Sequence, residues 1–431
     1  MTTPEQFQYF TGATFSELFA GDITDAQYAF LLSYPSTASW SPYPNTLKYY
    51  IQDGHLEEKK VGFDRIRQKE PWKILAVLGN GLPGVMTARP PDILLSYWAE
   101  TFGFTDKSMS ILPHERWGHI LNESPEYEKI ITLFPYDLIL PEKHAVLPNI
   151  HYELLSKCHL AEVCPRVPEY VVYDLKETRL DAIPFPKTFP YLIKTSHGLS
   201  GEGTYIIQNQ DDFTFCMNEL NTYLEVRLAE SIVVMKFVPD IADNYCVQFY
   251  VSKTGLVTLI GATSQLVSPT GEHLGGVIRY EATDMTKFFD IIQRTAEYVS
   301  QKGYFGVIGV DILEDNQGQF HVIDANVRVN GSTPLCMQRN TLLAMGRETA
   351  KYSTDYGFEG DLAAVMDVYK QELSQRDFMI LSALEYPPGQ HPVYPDISGV
   401  RTDIYGIVTG ETPEHMIGNE KQLIDKGLRI G

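Results

Sequence analysis

Residues 307–328 constrain this chain more than any other stretch. Val307-Ile308-Gly309-Val310-Asp311-Ile312-Leu313 and Phe320-His321-Val322-Ile323-Asp324-Ala325-Asn326-Val327-Arg328 read as two apolar strands. A polar turn at Asp315-Asn316-Gln317-Gly318 joins them. Side chains alternate across a strand, so Asp324, Asn326 and Arg328 fall on one face, and Ile323, Ala325 and Val327 on the other. If the first strand pairs alongside, Asp311 reaches the same spot. Two carboxylates, an amide oxygen and a guanidinium then meet on a sheet surface. Hard oxygen ligands of this kind suit Mg²⁺, which binds through one or two carboxylates plus substrate phosphates.

Elements that could hold those phosphates lie upstream. Phe189-Pro190-Tyr191-Leu192-Ile193-Lys194 reads as a strand, and the small-residue stretch Thr195 to Thr204 as a loop leading into a second strand at Tyr205-Ile206-Ile207. Lys194, at the strand's end, can neutralise phosphate as a compact charge. Gly198, Gly201 and Gly203 leave backbone N–H groups free to fold over a triphosphate, with His197 and Ser200 as polar companions. Met235-Lys236-Phe237-Val238, at the end of another apolar run, offers an extended backbone edge to an adenine. Asp311, Asp324 and Asn326 would hold the metal. Arg328 would face the γ-phosphate, where negative charge develops. Arg279 is a second candidate cation for the reacting carboxylate.

The bulk properties fit such an enzyme. A chain of 431 residues exceeds what one core normally supports, so two to three domains are expected. A formal net charge of −20 argues against a general nucleic-acid or acidic-membrane binder, since a phosphate backbone demands a basic footprint. The five cysteines are scattered without a CxxC pair, which reads as reduced thiols in a cytoplasmic protein. The N-terminus shows neither the basic nor the apolar stretch of a signal peptide, and no apolar run is long enough to span a membrane.

Three regions are expected along the chain. Residues 1–148 would hold an α/β domain, with a buried strand at Trp72 to Leu78 closed by the turn Gly79-Asn80-Gly81-Leu82-Pro83-Gly84, and a strand end at Tyr136 to Pro141. Residues 149–340 would form a two-lobed core, with one lobe near 170–240 and the metal-binding lobe near 241–340. Within it, Ala262 to Gly276 reads as loop. Thr286 to Gly303 reads as an amphipathic helix with Ile291, Ile292, Ala296 and Val299 inward. Residues 341–431 read as a C-terminal α/β extension.

The order of these pieces resembles the ATP-grasp superfamily of carboxylate–amine ligases and their carboxylase relatives. That pattern is a strand-borne Lys, a glycine-rich lid, a hinge strand, then an acid followed by Glu/Asp-x-Asn-x-Arg. Here the closing signature is Asp324-Ala325-Asn326-Val327-Arg328, with Asp311 upstream. The resemblance implies an ATP-grasp fold, ATP and Mg²⁺ as cofactors, and small-molecule acid and amine substrates, with a homodimer as one possible assembly. Three departures stand out: Asp324 where Glu is usual, Met235 where the hinge is usually acidic, and no clear first nucleotide-binding lysine, for which Lys157 is a substitute by proximity alone. Ile404 to Glu414, a strand followed by a capped helix, is similar to a piece of pheganomycin-type peptide ligases. The resemblance leaves a carboxylase, a small-molecule kinase or a non-catalytic nucleotide-binding regulator as alternatives. The absence of a biotin-attachment sequence weighs against the first.

Overall fold

The structure, a computed structural model, describes residues 7–33, 68–113, 116–198, 201, 203–225, 230–268, 273–391 and 393–430. They form three sheets. After a short strand β1 (Gln8–Tyr9), the strands β2 (Tyr28–Leu31), β3 (Gly84–Met86), β4 (Met109–Ile111) and β5 (Lys129–Thr132) make a parallel sheet in the order β4-β3-β2-β5. Every residue of β2 is buried, as expected for a parallel strand covered on both faces.

Two expectations for this region are corrected. Trp72 to Leu78 is not a strand: Glu70–Leu75 is a short helix with Pro71 in its first turn, a position where the missing N–H of proline costs nothing. Trp72 through Leu78 are all buried, so the run has no exposed face to reveal its period, and a buried helix and a buried strand then look alike. The glycine turn precedes β3 instead of following a strand. Tyr136 to Pro141 likewise holds no strand; the extended segment is β5, just upstream.

The second sheet is antiparallel. It comprises β6 (Tyr170–Asp174), β7 (Tyr191–Thr195), β8 (Thr204–Ile207) and β9 (Ser231–Lys236), in the order β6-β9-β7-β8. The helix Gln210–Glu225 covers one face through Cys216 and Leu220. Alternation along β9 divides its side chains. Ile232 and Val234 join the small core under that helix, and Val233 and Met235 join the main core of the molecule.

The third sheet takes up the rest of the chain: β10 (Ile241–Val251), β11 (Val257–Val267), β12 (His273–Arg279), β13 (Gly306–Asp315), β14 (Phe320–Asn326), β15 (Thr349–Glu359), β16 (Phe378–Tyr386), β17 (Arg401–Gly410) and β18 (Arg429–Ile430). The main path runs β14-β13-β10-β11-β12-β15-β17-β16, with β1 beside β11 and β18 beside β15. The helix Phe289–Gln301 packs Ile291, Ile292, Ala296 and Val299 inward, as its periodicity predicts. Of residues 262–276, read as loop, 262–267 belong to β11 and 273–276 to β12, and 269–272 lie outside the described residues. Their polar and glycine content misled because Thr263 and Gln265 face a polar site and Gly275 and Gly276 make room for β15. A Cβ on Gly275 would lie 2.2 Å from the Tyr352 carbonyl oxygen, and its φ of +146° already favours glycine. The tail beyond 341 supplies β15–β18, hydrogen-bonded into this same sheet. No described helix is long and apolar enough to cross a membrane.

Candidate active site

The β13–β14 ladder makes Asp311 and Asp324 direct partners, so their side chains leave the same face. Asn326 Nδ2 donates to Asp311 Oδ2 at 3.0 Å, and Arg328 Nη2 donates to Asn326 Oδ1 at 2.8 Å. The four residues expected to meet do meet. Arg328 lies beyond the end of β14, and its guanidinium sits over the Phe134 ring at 5.0 Å. Several contacts fix the turn that carries it. The Val327 carbonyl accepts from His151 Nε2 at 2.9 Å, and burial pushes His151 down to about 4, leaving it neutral. Asn330 Nδ2 donates to the Arg328 carbonyl at 3.1 Å, and the Asn330 N–H donates to Thr333 Oγ1 at 2.8 Å. Thr333 and Ser332 are in turn bonded to the fully buried Gln248.

Two lysines flank the acids. Lys157, on a 3-10 turn (Lys157–His159) capped by Ser156, places Nζ 3.2 Å from Asp324 Oδ2. Its N–H donates to the Ser196 carbonyl at 2.8 Å, tying that turn to the lid's base. Lys194 Nζ donates to the Ile323 carbonyl at 2.8 Å. Burial pushes Lys194 down to about 8, partly countered by Asp324. For Asp324, burial acts upward, but Lys157 and Lys194 together hold it below the usual carboxylate range. Asp311 is pushed up to about 6, by burial first and then by Asp324. Lys157, Lys194 and Arg328 against Asp311 and Asp324 give three cations to two carboxylates, a local excess of positive charge in an acidic protein.

Not every expected residue joins the centre. Val277 is paired with Ser264, Ser264 with Tyr245, and Tyr245 with Ile312, which places Arg279 on the face opposite Asp311. Arg279 is exposed, and its charge acts on Glu414 of the C-terminal helix. It is not part of this site. His197 is buried and stacked on Tyr152, with ring centroids 3.8 Å apart. Its Nε2 contacts the Tyr152 carbonyl at 2.9 Å and its Nδ1 the Ser196 hydroxyl at 3.1 Å, so both nitrogens are engaged by protein and the ring anchors the lid's base. His197 and Gly198 both line the same cavity as Lys157, Asp324, Asn326 and Arg328. Gly201 and Gly203 take φ of +91° and +70° where the loop turns back to β8, a conformation that favours glycine. Ser200 lies outside the described residues. Met235 and Lys236 are paired within the sheet, and Phe237 and Val238 follow its end.

One residue was missed. Gln265 Nε2 donates to Asp311 Oδ1 at 3.0 Å, so both Asp311 oxygens are held by amides. The polar alternation Thr263, Gln265 on a strand would have pointed to it. Asp311, Asp324 and the Asn326 amide oxygen are a hard-oxygen set that fits Mg²⁺. Among the described residues no three His, Cys, Asp or Glu side chains converge, so phosphate and water oxygens would have to complete the shell.

Comparison with known proteins bears on the fold and the family. Residues 168–326 match the family described as L-aspartate–L-methionine ligase, ATP grasp. The [butirosin acyl-carrier protein]–L-glutamate ligase of Niallia circulans is 27% identical over 148 residues. That match takes in 33% of this chain and 33% of the relative, so the chain spans about a third of the length of that curated protein. Among solved structures, an L-amino acid ligase from Bacillus licheniformis superposes with a TM-score of 0.53 at 12% identity, over 94% of this chain and 98% of that one. The chain therefore carries the fold of that ligase, the ATP-grasp fold, and residues 168–326 are similar to an ATP-grasp ligase family.

Proposed function

We propose that this protein is an ADP-forming ligase that uses ATP to join a carboxylate to an amino-acid or peptide amine. The observation that carries the reading is the single polar face of Asp311, Asp324, Asn326 and Arg328, flanked by Lys157 and Lys194. A protein that only bound nucleotide would need fewer of these groups.

In the first step a substrate carboxylate oxygen attacks the γ-phosphorus of ATP. The bond to the β-phosphate oxygen breaks, leaving an acyl phosphate and ADP. Such a transfer needs positioning and charge stabilisation more than covalent help. Lys194 and the lid amides hold the phosphates, Lys157 adds a second cation, and Arg328, bonded to Asn326, steadies the transferring group. Asp311, Asp324 and Asn326 would hold Mg²⁺, which would neutralise phosphate charge when bound. In the second step the amine nitrogen attacks the acyl carbon, loses a proton, and inorganic phosphate leaves. The lid's role is to exclude water while the acyl phosphate exists.

The test is phosphate release from Mg²⁺·ATP against pooled carboxylic acids and amines, with mass spectrometry of the products. The reading expects release that needs an acid and an amine together, and a product lighter than their sum by one water. Release with an acid alone and a stable phosphorylated product would make the enzyme a kinase instead.

A further inference from the structure

Arg328 lines two cavities. One is the polar cavity it shares with Lys157, Asp324 and Asn326. The other is walled by Phe19, Phe30, Leu133, Tyr304, Phe305 and Val329. The fold gives this second cavity its place. β3 and β4 extend the parallel sheet to one side of β2, whereas β5 joins on the other side. The strand order therefore reverses between β2 and β5, and in a parallel sheet such a switch point opens a crevice at the carboxyl ends of the strands. Phe30 is the last residue but one of β2, Thr132 ends β5, and Leu133 follows it. All three line the cavity.

The chemistry of the wall is simple. Arg328 is the only charged side chain among the described residues that line it, and no carboxylate is among them. Two guanidinium N–H groups are engaged, one by Asn326 Oδ1 and one by the Val329 carbonyl, and a guanidinium carries further donors for a carboxylate. Besides half-buried Thr132, the polar side chains of the wall are bonded to protein. The Tyr304 hydroxyl donates to the Val307 carbonyl at 2.7 Å, and His151 is held by the Val327 carbonyl. The free volume is about 20 Å³, room for about one or two water-sized groups.

We propose that this cavity takes the tail of the acyl donor, and that the donor is a short-chain carboxylic acid with no second charge. Its carboxylate meets Arg328, and a tail of about one to three carbons fills the apolar space beyond. An α-amino acid does not suit the site as donor. Its ammonium sits on the carbon next to the carboxylate, so it would stand against the apolar wall with no carboxylate to pair with, and an unpaired buried charge is strongly unfavourable. The inference rests on the ligase reading and narrows it. The family match does not bear on this choice, because of the cavity's walls only 304–307 lie within the matched residues 168–326.

The experiment uses the full chain and two readouts. Phosphate release from Mg²⁺·ATP is measured with pooled amines and one donor at a time: the straight-chain acids from acetate to hexanoate, then L-alanine, L-aspartate and succinate. Saturation-transfer NMR follows binding of the same acids with Mg²⁺ and a non-hydrolysable ATP analogue. Short monocarboxylic acids should exceed L-alanine, L-aspartate and succinate in kcat/KM by at least about a hundredfold, the scale of one unpaired buried charge. Phe305→Leu enlarges the cavity and should move the best chain length, in turnover and in binding, upward by about one or two carbons. If Phe305→Leu fails to fold, the smaller trim Val329→Ala carries the same test. Amino-acid donors that match the short acids, or a chain-length optimum unmoved in both variants, would overturn the cavity's role and spare the ligase. Short-acid binding that shifts with the variants, without phosphate release for any acid and amine, would keep the cavity and overturn the ligase. Neither binding nor release would overturn both.

Discussion

Lys194 sets a condition on catalysis. Its ammonium is needed to meet phosphate, yet burial has brought its pKa down to about 8. A lysine is charged below its pKa, so phosphate binding should be full under neutral conditions and fade as pH rises through about 8. The KM for ATP is expected to climb on that limb, and Lys194→Arg should flatten it, because guanidinium stays charged. A wild-type KM flat to pH 9.5 would remove Lys194 from the phosphate site. Asp324 is bound from two sides by Lys157 and Lys194, so Asp324→Asn should cut phosphate release by about a hundredfold or more. It should also lower thermal stability, since two cations lose their shared counter-charge. Activity within a factor of two of wild type would refute the metal assignment. At this scale the sequence was most legible where a strict period met unusual polarity, at Asp311, Asp324, Asn326 and Arg328. For Gln265 it offered only the polar alternation with Thr263, because the residue's role depends on a strand pairing 46 positions away in the chain. It misled on Arg279, because residue type near a motif does not determine which face a side chain takes.

At the scale of the element, the strand pair β13–β14 and the turn after it act together. Gly309 packs against Asn330, and a Cβ there would fall 2.3 Å from Asn330 Nδ2. Gly309→Ala should therefore push Asn330 off the Arg328 carbonyl while leaving the strand intact, since Gly309 has no strained φ to lose. We expect kcat to fall by about tenfold or more, with a stability loss of about 1–3 kcal/mol, the usual scale of overpacking. Nucleotide binding, followed by calorimetry with a non-hydrolysable analogue, should change little. An unchanged kcat would mean that the turn positions Arg328 without Asn330. Elements were readable where one face met water or a second core, as in the helix Phe289–Gln301. They were misread where burial was complete, as in Trp72 to Leu78, or where a strand's inward face was polar, as in β11. Both failures have one cause: periodicity reports contrast between faces, and those segments have little.

For the whole molecule, the small core of Leu180, Tyr191, Ile193, Ile207, Leu220 and Ile232 is separate from the main one. A lobe with its own core can move as a body, and here Lys194 and Lys157 tie it to β14. Hydrogen exchange should show β7 and β8 slowed by Mg²⁺ with a non-hydrolysable ATP analogue more than β10 and β13 are. Equal slowing in all four strands would argue against a lid. The C-terminal strands carry a different expectation. β15 covers the edge of β12, so ending the chain at 345 would bare a row of unpaired backbone groups and is expected to give aggregation on expression, visible by size-exclusion chromatography. A soluble monomer of that length would show that the edge is protected some other way.

Strand β9 has a further consequence. Because odd and even positions serve different cores, its residues form two genetically separable sets. Trimming Ile232 or Val234 should soften the lobe internally and leave its seat unchanged, whereas trimming Val233 or Met235 should loosen the seat around a sound lobe. A screen along these four consecutive codons, Ile232 to Met235, could therefore tune cohesion and hinge stiffness independently.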